Sequence, residues 1–149
     1  MTDICNYLPL NSQVATSGQP SAEQFADIKA AGYEQVINLA MPSSNSWLPA
    51  EPEIVRKQGM AYQHIPVVWE NPTAENLAAL FATLDEARQR DLKVWVHCAM
   101  NMRVSTMMYL YSRLRLGRPD AEARALMAQI WTPNEVWERF IEASLSERY

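Results

Sequence analysis

The sequence predicts an α/β fold of three layers, with a central, mostly parallel sheet of four to five strands flanked by helices. Three observations lead there. Strand-like and helix-like segments alternate along the chain, the strand-like ones are short and apolar between turn residues, and the helix-like ones carry apolar residues at three-and-four spacing. Parallel strands need crossover connections, which are usually helices, so the alternation places helices on both faces of the sheet. At 149 residues the chain has the length of one ordinary domain, and a single unit over residues 1–149 is expected.

The first turn signal is "VATSGQP", in which Gly18 and Pro20 mark a turn. Ser21 and Gln24 follow with the spacing of a helix capping box, Phe25 and Ile28 give that helix an apolar side, and Gly32 ends it. "YEQVINLA" reads as a buried strand, and "MPSSNSWLPAEP" as a loop. A short helix, "EIVRKQG", leads through Gly59 to a second strand, "AYQHIPVV". From Thr73 to Asp91 the positions of Leu77, Leu80, Phe81 and Leu84 describe an amphipathic helix, and "KVWVHC" follows as a short apolar strand. The next helix has Val104, Met107, Met108, Tyr111 and Leu114 on one face and stops at Gly117. Thr132, Pro133 and Glu135 predict the start of the last helix, since Thr-x-x-Glu is a capping box and proline suits the first helical position. Trp131, Trp137 and Phe140 read as the apolar face of these last helices.

Composition narrows the function. The net charge of -4 argues against a general nucleic-acid binder, whose affinity comes largely from lysine and arginine displacing counterions. No apolar run approaches the roughly 20 residues that span a bilayer, and no membrane partner is expected. Two scattered cysteines, Cys5 and Cys98, and an opening "MTDICNYLPL" without the pattern of a secretory signal predict a cytoplasmic protein with reduced thiols. The cysteines and two histidines have no zinc spacing, and no glycine-rich loop with lysine is present, so neither metal nor organic cofactor is expected.

The chemistry concentrates in "VWVHCAMNMRVS". In open α/β sheets ligands bind beyond the carboxyl ends of the strands, which is where His97 and Cys98 fall. A cysteine between a strand end and a helix start faces unpaired backbone N–H groups, an arrangement that holds anions. A free thiol is mostly protonated at neutral pH, so a working nucleophile needs electrostatic help beyond the ~2 kcal/mol a helix terminus contributes. Arg103 is suited to supply it, because its guanidinium holds two oxygens of a phosphate-like group at once. The amides of Ala99, Met100, Asn101, Met102 and Arg103 are the candidate anion-binding groups. Ser105 is a candidate hydrogen-bond donor to the thiolate, and His97 a residue that orients the loop through a backbone contact. Met100 and Met102 are placed to narrow the pocket, while Met107, Met108 and Cys5 read as packing.

"VHCAMNMRVS", after strand–helix–strand units, resembles the motif of the cysteine-dependent protein tyrosine and dual-specificity phosphatases: His-Cys, a short loop, Arg, then Ser or Thr. "SGQPSAEQF" and "VINLA" are similar to the opening of small bacterial phosphatase-like domains of that superfamily, and the resemblance covers roughly residues 13 to 116. It implies a phosphatase-like fold and hydrolysis of a phosphate monoester, on a small molecule or a phosphoprotein such as a phosphotyrosine protein. Cys98 would form a phosphocysteine, Arg103 and the loop amides would hold the oxygens, Ser105 would assist turnover, and no cofactor would be needed. The resemblance also implies an upstream acid to protonate the leaving oxygen. "IPVVWENPT" offers Glu70 for that role, with Trp69 and Asn71 beside it, whereas Asp85 lies inside a helix.

Three features depart from the motif, the first being the acid, since the resemblance implies an aspartate where the sequence offers Glu70. The phosphatase loop has five residues between cysteine and arginine, whereas Cys98 and Arg103 enclose four, Ala99, Met100, Asn101 and Met102. It also uses glycine where its backbone turns with positive φ, and here Asn101 is the most tolerant residue available. A four-residue gap resembles rhodanese-type sulfurtransferases, whose cysteine carries a sulfane sulfur. Sulfur transfer and a non-catalytic oxyanion-binding pseudophosphatase are the alternatives, and the position of Glu70 relative to Cys98 separates the first from phosphatase chemistry.

Overall fold

The structure, a computed structural model, describes residues 3–147. Five strands form one sheet in the order β1-β2-β5-β3-β4. They are β1 (Leu8–Pro9), β2 (Val14–Ser17), β3 (Gln35–Asn38), β4 (Ala61–His64) and β5 (Val94–His97). β2, β5, β3 and β4 are parallel, and only β1 runs against its neighbour. The helices are α1 (Gln24–Ala30), α2 (Glu51–Lys57), α3 (Ala74–Gln89), α4 (Met102–Leu114), α5 (Asp120–Ala128) and α6 (Glu135–Glu147). The α/β class expected from the sequence is the one observed.

The period of two along each strand divides the interior. Val94, Val96 and Ile37 pack with residues of α3, α4, α5 and α6 on one face of the sheet. Trp95, Val36 and Ala15 pack with Phe25, Ile28 and Val55 of α1 and α2 on the other. Each fully buried side chain of this kind contributes ~1.5–3 kcal/mol. α4 is enclosed nearly all round, with every residue from Arg103 to Ser112 buried, so it runs through the middle of its layer.

Several local expectations need correction. "VATSGQP" contains a strand, Val14–Ser17, that is buried on both sides and pairs with β5. Its alanine, threonine and serine carry little apolar signal, and their polar groups are met locally: the Thr16 hydroxyl donates to Leu8 O at 2.7 Å and Trp95 Nε1 donates to Ser17 Oγ at 2.8 Å. β4 stops at His64, short of "IPVV", where Pro66 has no N–H for a ladder. The reciprocal bonds of Ser21 and Gln24 are present, but α6 starts at Glu135. Its cap is Asn134, whose Oδ1 accepts the Trp137 N–H at 3.0 Å, and Thr132 and Pro133 lie outside the helix. α5 lies on α4 and has no counterpart in the reading from sequence.

Candidate active site

The register sets Ser17, His97, Asn38 and His64 level across the four parallel strands, so all four chains leave the sheet at one edge. Cys98 is the first residue after β5, which, like β3, has parallel neighbours on both sides. Its N–H reaches Ser17 O at 3.4 Å, and from there the chain turns into α4.

The turn is made with its carbonyls committed. Ala99 O accepts Gln19 N–H at 3.0 Å, Met100 O accepts Asn6 Nδ2 at 2.9 Å, and Asn101 O accepts Ser105 N–H at 2.8 Å. The amide hydrogens of residues 99 to 103 are different: no acceptor among the described residues takes them. Five consecutive free donors and the start of a 13-residue helix make a strongly anion-attracting loop. Asn101 turns the backbone in the left-handed region with φ 66°, the task assigned to it from sequence. Its side-chain Nδ2 donates to Asn6 O at 2.8 Å and to Thr16 Oγ1 at 3.0 Å.

Cys98, Ala99, Met100, Met102, Arg103 and Trp69 line one concavity of about 270 Å³. The cysteine is 1% exposed and Arg103 7%. The guanidinium is held by Nη1 donating to Val67 O at 3.0 Å and lies 6.0 Å from the centre of the Trp69 ring. This bond fixes one edge of the fork and ties α4 to the loop that follows β4. Met100, about half exposed, forms the outer lip.

Behind the loop, His97 is fully buried against an equally buried Glu51. His97 Nδ1 lies 3.1 Å from Cys98 O and must donate to it, since a carbonyl only accepts. Nε2 is 2.6 Å from Glu51 Oε2. Those two atoms share a short hydrogen bond closed off from solvent. Gln19 Nε2 donates to Glu51 Oε1 at 2.7 Å, completing a chain from α2 to the cysteine's own carbonyl. His97 therefore has the backbone contact expected of it. Glu51 and Gln19 were not among the residues singled out from sequence; the available signal was an acid at a helix start, before Pro52.

The remaining sequence candidates are not brought to the thiol. Glu70 is exposed and lines a separate concavity with Asn71, Pro72, Val136, Arg139 and Phe140. Its neighbour Trp69 lines the cysteine's concavity, and no carboxylate among the described residues does. Ser105 Oγ donates back to Met102 O at 3.1 Å and faces a small cavity with Leu8, Met108 and Met127. Asp85 is occupied by Tyr111, whose hydroxyl donates to it at 2.9 Å, and by Arg115 Nε at 3.1 Å. Burial and that carboxylate push the Tyr111 hydroxyl up to about 12.

Comparison with known proteins places this geometry. No family model matches the chain. Crystal structures of a phosphatase-like protein (DUF442) from Shewanella putrefaciens CN-32 are 31–32% identical, with TM-scores of 0.85–0.87 over 99% of this chain and 94–95% of theirs. The active form of Tk-PTP, 19% identical, has a TM-score of 0.80 over 97% of this chain and 98% of its own, a likeness of fold. A beta-lactamase hydrolase-like protein from Xylella fastidiosa is 29% identical over 120 residues, 76% of this chain. The chain spans about a quarter, 27%, of that relative's length.

Proposed function

The chain belongs to the DUF442 group of the cysteine-dependent protein tyrosine and dual-specificity phosphatase superfamily, and on that premise we propose that it hydrolyses phosphate monoesters through a phosphocysteine on Cys98. What supports the reading is the meeting, on one concavity, of a buried thiol, a buried guanidinium and four of the five loop residues whose amides have no acceptor among the described residues.

The Cys98 thiolate attacks phosphorus, forming the S–P bond as the P–O bond to the leaving group breaks. Charge on the transferring group's equatorial oxygens is met by the amides of residues 99 to 103 and the free edge of Arg103, fixed before the reaction begins. The leaving oxygen departs as an anion that takes a proton from solvent, and a water then attacks the phosphocysteine, giving up a proton to solvent as the S–P bond breaks, so that inorganic phosphate leaves and the Cys98 thiolate is restored. With no carboxylate among the described residues lining the concavity, esters of acidic alcohols such as phenols, which leave without full protonation, fit this site best. Glu70 acts as the acid only if the loop after β4 turns it toward Cys98, and Ser105 assists only with a rotated side chain.

The same observation favours a second reading, sulfur transfer with a Cys98 persulfide, which needs no distant acid and a smaller cradle than a phosphoryl group. An aryl phosphate and, separately, thiosulfate with cyanide divide the two. Cys98-dependent phosphate release, lost by more than about a thousandfold in Cys98→Ser, supports the first reading. Thiocyanate formation without phosphate release supports the second. Anion binding with neither turnover leaves an oxyanion-binding pseudophosphatase. For Glu70 the measurement is the pH–rate profile with an alkyl phosphate. Glu70→Gln removes the alkaline limb, where a protonated acid is lost, and an unchanged limb excludes the role.

A further inference from the structure

The anion loop is held from outside by a part of the chain that the chemistry does not otherwise involve. Residues 4–7 are anchored by Ile4, 2% exposed in the core, and by Tyr7, stacked on Trp95 at 5.5 Å. Between these anchors Cys5 O accepts Gly18 N–H at 2.7 Å, and Asn6 stands in the left-handed region with φ 48°. From there Asn6 Nδ2 donates to Met100 O at 2.9 Å, while Asn6 O accepts Asn101 Nδ2 at 2.8 Å. Two left-handed asparagines, 95 positions apart, are thus bonded to each other's segment in both directions.

In a trans peptide the C=O of one residue and the N–H of the next point in opposite directions. Holding Met100 O outward on Asn6 therefore turns the Asn101 N–H away from the N-terminal segment. Holding Ala99 O outward on Gln19 does the same for the Met100 N–H. Turning either peptide over would put a carbonyl dipole among the donors. We infer that Asn6, with Asn101 as its counterpart, is a positioning residue that locks the loop in its anion-accepting orientation before any ligand arrives. The inference rests on the reading of loop 98–103 as an anion site, whichever group Cys98 transfers.

The test measures binding rather than turnover. In a Cys98→Ser background, calorimetry with inorganic phosphate and with thiosulfate is run on the parent, on Asn6→Gly, on Asn101→Gly and on the double variant. Glycine keeps both left-handed backbones free of strain and removes only the amides. Each single variant weakens the anion that the parent binds by about tenfold, the effect of ~1.4 kcal/mol. The double variant falls less than the product of the singles, because either deletion opens the same clasp. The thermal midpoint of Asn6→Gly stays within a few degrees of the parent, which separates orientation from folding. Affinities within twofold of the parent in both singles overturn the clasp, and Asn101→Gly supplies the answer if Asn6→Gly does not fold. A parent that binds neither anion overturns the site reading itself, and the clasp with it.

Discussion

The concavity at Cys98 has two walls of unlike construction. One is backbone, residues 98–103, in which the carbonyls of Ala99 and Met100 are each held by a single donor, Gln19 N–H and Asn6 Nδ2. The other is the ring of Trp69, tilted against Trp131 at 5.2 Å and Trp137 at 6.0 Å. A hydrogen-bonded wall depends on the direction of individual atoms and tolerates no added methyl or lost donor. An aromatic wall depends on contact area and tolerates an exchange of rings. In the proposed reaction the first stabilises charge and the second governs what can enter.

The largest break lies behind the backbone wall. In Glu51→Ala, His97 keeps its bond to Cys98 O but loses the partner of Nε2 in a fully buried place. Removing one member of such a pair costs about 3–5 kcal/mol, read as a lower urea midpoint at unchanged slope. Glu51→Gln retains an oxygen and is expected to lose less than half as much. A Glu51→Ala protein as stable as the parent would mean that the pair is not what supports the loop.

Next is Gly18→Ala, a change of one methyl. Gly18 is not in the positive-φ region, so conformational freedom is not its reason for being glycine. A Cβ there would meet Ala99 O at 2.5 Å and Cys5 Sγ at 2.9 Å. The sulfur can swing aside, but the carbonyl is backbone and carries the loop with it. Turnover, or anion affinity in the Cys98→Ser background, is expected to fall about a hundredfold, at a stability cost of roughly 1–3 kcal/mol. The same methyl with activity kept within a fewfold would show that the backbone wall yields as easily as the aromatic one.

These supports also mark where the sequence stops being readable. Leu77, Leu80, Phe81 and Leu84 gave α3 because one period accounts for all four, and each is buried. β2 gives no strand signal because Ala15, Thr16 and Ser17 are small or polar and stand just before the turn at Gly18 and Pro20, and α5 buries only Ala123 and Met127. In the site, Cys98, Arg103 and Trp69 were legible from local pattern, since strand end, loop and helix start follow one another in the chain. Glu51 lies 46 positions from His97, and Asn6 lies 94 from Met100. Nothing in a local pattern reports a partner at that distance. Glu70 is the instructive case: the sequence located its loop, but Trp69 and Glu70 are the two central residues of a turn closed by Asn71 N–H donating to Val68 O at 3.1 Å, and the turn sends their side chains to different surfaces. Trp69 faces Cys98, and Glu70 faces the groove beside Val136 and Arg139.

The smallest effects belong to the aromatic wall, and they differ in kind. Among the described residues Trp69 makes no hydrogen bond to Cys98 or to the loop and adds only its ring to the concavity, so it is expected to bind substrate and transition state alike. Trp69→Ala should then raise KM for an aryl phosphate about tenfold and leave kcat within threefold, the pattern of lost uniform binding. Trp69→Phe, which keeps a ring against Trp131 and Trp137, should fall between Trp69→Ala and the parent. Trp137→Phe changes less still. It keeps the edge contact with Phe140 but loses the Nε1–H that donates to Trp69 O at 2.9 Å. One such neutral bond is worth about 1 kcal/mol of stability, with a severalfold rise in KM as the wall loosens. If kcat instead falls with KM unchanged in these variants, the ring acts on the transition state, through its contact with Arg103, and the division between the two walls does not hold.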